Sequence, residues 1–280
     1  MELDFGNLEL GVLFLVKVNS VDAKMMLLAL FCLLFAVAKC SPIVRMTGGT
    51  NATEGQFPFM VSIRNGYGTY HLCGGTILDK RWILTAAHCM DDYGLWSVRY
   101  GTIELDEGGM EEERNIRIMN KFVHPGFIND YNENGDWVTE HDIALVQLVE
   151  SLPFGPTVQP IELPEQDALI PFNKTGVLVG WGHTDLFDEP SVLQYAKLTI
   201  FDQDYCYSKL GFPYNYEQNL CAGTPTNDAS QCSGDSGGPL VADAVQVGVV
   251  SWSLSGCGRG PGAMTRVSIH RDWIRNVTGI

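Results

Sequence analysis

Gly234-Asp235-Ser236-Gly237-Gly238-Pro239 is the stretch on which the reading of this chain turns. A serine set among glycines, directly after an aspartate, has the character of a nucleophile on a tight turn. Glycine lets the backbone approach a bound carbonyl and leaves the hydroxyl unguarded. A serine hydroxyl is a weak nucleophile at neutral pH, so it requires a base, and the base requires an orienting group. Two upstream segments offer them: Thr85-Ala86-Ala87-His88-Cys89 and His141-Asp142-Ile143-Ala144-Leu145. Along the chain the order is His88, Asp142, Ser236, one of the recurring orders of a Ser-His-Asp constellation.

The remaining pattern bounds the fold. With 280 residues, 45% of them hydrophobic, the chain can bury a large core as one long domain or two small ones. From residue 57 onward short β-rich runs (59–63, 75–78, 143–148, 177–179, 196–201, 239–241 and 245–251) alternate with Gly, Pro, Asn and Asp, which predicts an all-β fold. A proline-bearing stretch at 151–163 suits a linker. Ile269, Trp273, Ile274 and Val277 recur at helical spacing and predict a C-terminal packing helix. The formal charge of −15 argues against binding nucleic acid or an anionic membrane.

Eight cysteines fit an oxidising compartment. The N-terminus agrees: residues 25–36 (MMLLALFCLLFA) follow Lys24 and lead to Ala36-Val37-Ala38, a small-residue cleavage pattern. Residues 1–38 are therefore expected to hold a secretory signal peptide cut after Ala38. Residues 1–24 form an upstream extension, with synthesis starting at Met25 or Met26. An uncleaved signal anchor that includes residues 12–18 is the alternative.

Further segments stand in an order that carries a family resemblance. They are Cys73-Gly74-Gly75-Thr76-Ile77-Leu78, Trp82-Ile83-Leu84-Thr85-Ala86-Ala87-His88-Cys89, Gly180-Trp181-Gly182 and Val250-Ser251-Trp252. With the serine motif, they make the chain resemble the trypsin/chymotrypsin-family serine endopeptidases from about Arg45 to the C-terminus. The resemblance implies two antiparallel six-stranded β-barrels packed together, about 46–155 and 156–280, with a short C-terminal helix. His88 and Asp142 would come from the first barrel and Ser236 from the second. It assigns Ser236 as nucleophile, His88 as general base and acid, Asp142 as orienter, and the N–H groups of Gly234 and Ser236 as the oxyanion hole. It pairs Cys73 with Cys89, Cys206 with Cys221 and Cys232 with Cys257. Cys32 leaves with the signal peptide and Cys40 stands alone in a propeptide, which would be released on cleavage.

The same resemblance implies a zymogen. Residues 39–45 would be an activation propeptide, cut after Arg45 by another protease. The freed amino group of Met46 would then pair with buried Asp235. Met46-Thr47 stands where the family has Ile-Val, so a less rigid insertion is expected. In the family the pocket base lies six residues before the nucleophile, here the uncharged Ser230. Ser251, Trp252, Ser253 and Gly262 would form the walls, with Gly262 keeping the pocket open towards its base. No carboxylate awaits Lys or Arg, which points to large apolar or aromatic residues before the scissile bond. An elastase-like taste for small aliphatics is the alternative, and a catalytically silent homologue acting as a binding module is another.

The implied partners are protein or peptide substrates, the activating protease and protein inhibitors, and the implied state is a secreted, extracellular monomer. No cofactor and no metal is expected. The acidic run 104–113 is read as a solvated loop rather than a calcium site, and His71, His124, His141, His183 and His270 show no metal-ligand spacing. His88 and Asp142 are 54 positions apart, more than in compact relatives. The excess falls in 127–140 (FINDYNENGDWVTE), read as a solvated insertion or as a loop trimming the subsites. Sequons begin at Asn51, Asn173 and Asn276.

Overall fold

The computed structural model describes residues 49–65, 70–90, 94, 96–105, 115–184, 190–212, 214–226, 229–254, 257 and 260–280. The signal peptide, the propeptide, Arg45, Met46 and most of the 104–113 run lie outside them. In chain order the strands are β1 (Thr50–Asn51), β2 (Met60–Asn65), β3 (Tyr70–Asp79), β4 (Trp82–Thr85), β5 (Trp96–Tyr100), β6 (Asn115–Val123), β7 (Ile128–Tyr131) and β8 (Trp137–Glu140). They continue with β9 (Ala144–Leu148), β10 (Thr175–Gly180), β11 (Gln194–Ile200), β12 (Asn219–Gly223), β13 (Pro239–Ala242), β14 (Val245–Trp252) and β15 (Gly262–Arg266). Each expected β-rich run overlaps a strand, three of them running one residue past its end.

β2-β3-β4-β9-β6-β5 close into an antiparallel barrel, and full closure leaves no edge to protect. Val61, Ile63, Ile77, Ile83, Leu84, Leu145 and Leu148 fill it. The second barrel runs β11-β10-β13-β14-β15-β12 and closes through β11–β12. Leu178, Leu198, Ile200, Leu220, Leu240, Val250 and Met264 form its interior. The two are joined by buried bonds such as Thr76 Oγ1 donating to Gln246 Oε1 at 2.7 Å. All three expected disulfides are present. In the chain-entropy account, closing a loop of about 15 residues is worth roughly 3 kcal/mol.

The ends of the domain cross over. β1 pairs with β11 of the second barrel, Asn51 opposite Gln194. The C-terminal helix α2 (Arg271–Thr278) follows a 3-10 turn at Ser268–His270 and ends on left-handed Gly279. Its Ile274 is buried in the apolar cluster of the first barrel, with Trp273 and Val277 against it. The other helix, α1 (Gln203–Leu210), is capped by Asp202, whose Oδ1 accepts the Tyr205 amide at 2.8 Å.

The 127–140 segment is an ordered hairpin of β7 and β8, not an irregular loop. Its turn is built by Asn132, whose Oδ1 accepts the amides of Asn134 and Asp136, both at 2.9 Å, with Gly135 at φ +80°. The acidic composition hid an Asn-Gly turn flanked by strand-compatible residues.

Replacing Ile274 by Ala should lower stability by about 2–5 kcal/mol through the cavity left in the first-barrel core, read as a fall in the denaturant midpoint at unchanged m-value.

Candidate active site

β4 delivers the chain through buried Ala86 and Ala87 into a short 3-10 turn at His88–Met90, pinned by the Cys73–Cys89 disulfide. Asp142 lies just beyond the β7–β8 hairpin, after His141 at φ +47°. Its carboxylate is 1% exposed and fully engaged. Oδ1 accepts the His88 backbone amide at 2.9 Å. Oδ2 accepts His88 Nδ1–H at 2.7 Å and the Ser251 hydroxyl at 2.5 Å. Burial alone would raise its pKa, but the hydrogen bonds and charge of His88, together with the Ser251 bond, hold it below the usual carboxylate range. An ionised Asp142 fixes the proton of His88 on Nδ1, which leaves the lone pair on Nε2; the His88 side chain is 27% exposed.

Ser236 is half-buried on the turn entering β13. Its carbonyl accepts the Gly74 amide at 2.8 Å, and the Gly237 amide donates to Val250 at 2.9 Å. A Cβ at Gly237 would overlap Thr85 Oγ1, so the turn lies against the strand end that leads to His88. Gly234 stands at φ +94°, a conformation that suits glycine alone.

Asp235 points the opposite way, into the interior, and is 0% exposed. Its Oδ1 accepts the Gly182 amide at 2.9 Å and its Oδ2 the Cys232 amide at 2.8 Å. A Cβ at Gly180 or Gly182 would strike this carboxyl, which explains the Gly180-Trp181-Gly182 motif as the notch that receives it. Burial raises the pKa to about 7, against the two backbone bonds that lower it. Among the described residues the carboxyl meets no cation. Beside it, His71 Nε2 donates to the Gly234 carbonyl at 2.9 Å while Nδ1 accepts from Ser62 Oγ at 2.8 Å. His71 thus ties the serine turn to β2, a role with no local sequence signal because its partner is 163 positions away.

The structure brings Ser230, Ser251, Trp252 and Gly262 into one region through the adjoining strands β14 and β15 and the 229–233 loop, with Ser253 exposed at its edge. Ser230 and Gln231 are 3% and 4% exposed. Gln231, which the motif reading passed over, donates through Nε2 to the Trp252 carbonyl at 2.8 Å. A Cβ at Gly262 would overlap its side-chain amide. The space beside Gly262, expected to stay open, is therefore taken by Gln231. Its buried Oε1 has no hydrogen-bond partner among the described residues. The Ser251 side chain is spent on Asp142.

Comparisons with known proteins agree with this frame. The trypsin family model matches residues 46–274. Transmembrane protease serine 9 of Rattus norvegicus is 36% identical over 246 residues, 84% of this chain but 22% of that protein. Trypsin 5G1 of Aedes aegypti is 34% identical over 84% of this chain and 86% of its own length. Among solved structures, mouse neuropsin is 29% identical with a TM-score of 0.71, covering 82% of this chain and 98% of its own. Human heparin binding protein is 30% identical with a TM-score of 0.70, covering 83% and 96%. The chain belongs to the trypsin/chymotrypsin family. It is a serine endopeptidase acting on protein substrates, and among the described residues no helix is long and apolar enough to cross a membrane.

The raised pKa has a defined sign. A carboxyl that binds its proton more tightly folded than unfolded adds stability below about 4, and that contribution is lost as pH rises through about 7. Carbon NMR of aspartate-labelled, uncleaved chain should show one carboxyl titrating near 7; titration of every aspartate in the ordinary range would contradict the assignment.

Proposed function

We propose that His88, Asp142 and Ser236 are the catalytic residues and that the peptidase works through an acyl-enzyme. The observation that carries this is the double grip of Asp142 on His88, through both the backbone amide and Nδ1. Ser236 Oγ attacks the scissile carbonyl while His88 Nε2 takes its proton. Asp142 stays ionised and stabilises the imidazolium. The N–H groups of Gly234 and Ser236 receive the oxyanion, where fixed donors lower the barrier most. The imidazolium then protonates the leaving amine, and water, deprotonated by the same histidine, hydrolyses the ester. Replacing any one member disables the unit: Ser236→Ala should lower kcat on the order of 10⁶-fold, measured on a chromogenic peptide.

Preference is set by what the pocket lacks. Ser230 and Gln231 bring no charge, and burying Lys or Arg there unpaired would cost several kcal/mol. The reading is for large apolar or aromatic residues before the scissile bond. Gln231 supports a second reading, for smaller aliphatics, because it fills space beside Gly262. Peptides differing only before the scissile bond decide: Phe, Tyr, Leu or Met turned over best supports the first reading, Ala or Val the second, and Arg overturns both. Gln231→Gly should raise turnover of the Phe peptide relative to the Ala peptide.

The chain acts as a secreted zymogen on this reading. An activating protease cuts after Arg45, and the new α-ammonium of Met46 pairs with Asp235. A buried carboxyl whose pKa burial raises to about 7, with only two backbone amides to offset it, suits such a switch, since a cation arriving beside it lowers its pKa and favours the bound end. The enzyme would work as a monomer outside the cell and be restrained by protein inhibitors. Asn51 is the least suited of the exposed sequons, because a glycan there would crowd the activation site after Arg45.

A further inference from the structure

Three histidines far apart in sequence meet behind Asp142. His124 follows β6, His141 precedes Asp142, and His270 closes the 3-10 turn before α2. One ring nitrogen of each lies within 4.8 Å of the other two. We propose that His124, His141 and His270 bind a zinc-class divalent cation, and that this site is coupled to Asp142 through His141.

One pair of nitrogens already stands near the spacing of a histidine metal site, while the His124 ring stacks on His141 with centroids 4.5 Å apart and must turn to bring its nitrogen in. His141 Nδ1 and His270 Nε2 are 3.0 Å apart. Two nitrogens held tetrahedrally at 2.0–2.1 Å from zinc would stand roughly 3.3 Å apart. His270 Nδ1 donates to the Arg266 carbonyl at 2.8 Å, which fixes its tautomer and presents Nε2 as a lone pair. A backbone carbonyl orients metal-binding imidazoles in just this manner. His124 and His141 are partly exposed, which gives the ion access and lets water complete the coordination.

Coordination exchanges bonds that already exist. His141 Nδ1–H now donates to His270 Nε2; with metal bound, both lone pairs turn to the cation and the His141 proton resides on its Nε2. His124 Nδ1 now accepts the Gly126 amide at 3.1 Å. A neutral imidazole has a single nitrogen lone pair, so His124 gives up that bond to coordinate. His141 occupies the left-handed region at φ +47°, with its amide donating to Gln218 Oε1 at 2.8 Å. A pull on this ring is passed directly to the peptide that carries Asp142. The competing explanation is plain packing, since His124 also meets Trp273 edge-on at 5.0 Å.

The test is calorimetric titration of zinc chloride into the activated, chelator-stripped enzyme, with peptidase assays in parallel. One zinc per chain should bind at micromolar concentration or below. His124→Gln should bind at least about tenfold more weakly while keeping wild-type activity without zinc. Saturation should lower wild-type kcat by at least about tenfold with KM little changed. Cobalt(II) absorption of the wild type, intense for tetrahedral nitrogen ligation, reads the site without a variant. No uptake, equal uptake by His124→Gln, or inhibition that persists in it would overturn the site; binding without loss of kcat would overturn the coupling. The inhibition arm rests on the proposed catalytic roles, but calorimetry reads binding whether or not peptides are cleaved.

Discussion

A buried, ionised carboxylate is affordable only if donors replace the water it loses, and Asp142 collects its donors from both barrels. His88 supplies two from the first, Ser251 one from β14 of the second. Thr265 of β15 grips the Asp142 carbonyl at 2.9 Å. The same contacts that keep Asp142 charged therefore dock the barrels against each other in one relative placement. Removing a donor would leave a charge short of partners in the interior, a penalty far above the worth of an ordinary hydrogen bond. Barrel closure, disulfides and core packing build two stable bodies, and this knot sets the geometry at which they meet.

Much of this was legible in the chain. Short β-rich runs between turn residues report strands directly, without strict alternation, because strands such as β2 and β5 are buried on both faces. The Cys73–Cys89, Cys206–Cys221 and Cys232–Cys257 pairs followed from likeness to a family rather than from spacing, which leaves fifteen pairings open. The β7–β8 hairpin was obscured because its faces are mixed and its turn acidic, so no clean apolar stripe marks it. His71, Gln231 and the histidine cluster were illegible for a different reason. Their partners are Gly234, Trp252, Gly262 and one another, brought close only by barrel closure, and no local pattern encodes such distances.

Asp235 and Ser236 show how adjacent residues can have opposite environments. The turn leaves Ser236 half-buried and sends its neighbour into a notch made by two glycines. The notch explains why Gly180 and Gly182 carry no side chains, while Trp181 between them is buried and donates through Nε1 to the Ile103 carbonyl at 3.0 Å. The uncharged Ser230 and the buried Asp235 thus lie within six positions of each other, both almost fully enclosed.

The crossing of the chain ends has a mechanical meaning. Two bodies joined by one linker can swing about it as a hinge. Here the 151–163 linker, the β1–β11 pairing and the C-terminal helix each span from one barrel to the other. Three straps at separate points remove the rotational freedom a single linker would leave. Barrels so braced resist swinging against each other, so adaptation falls to the loops that join their strands rather than to rotation of the barrels themselves.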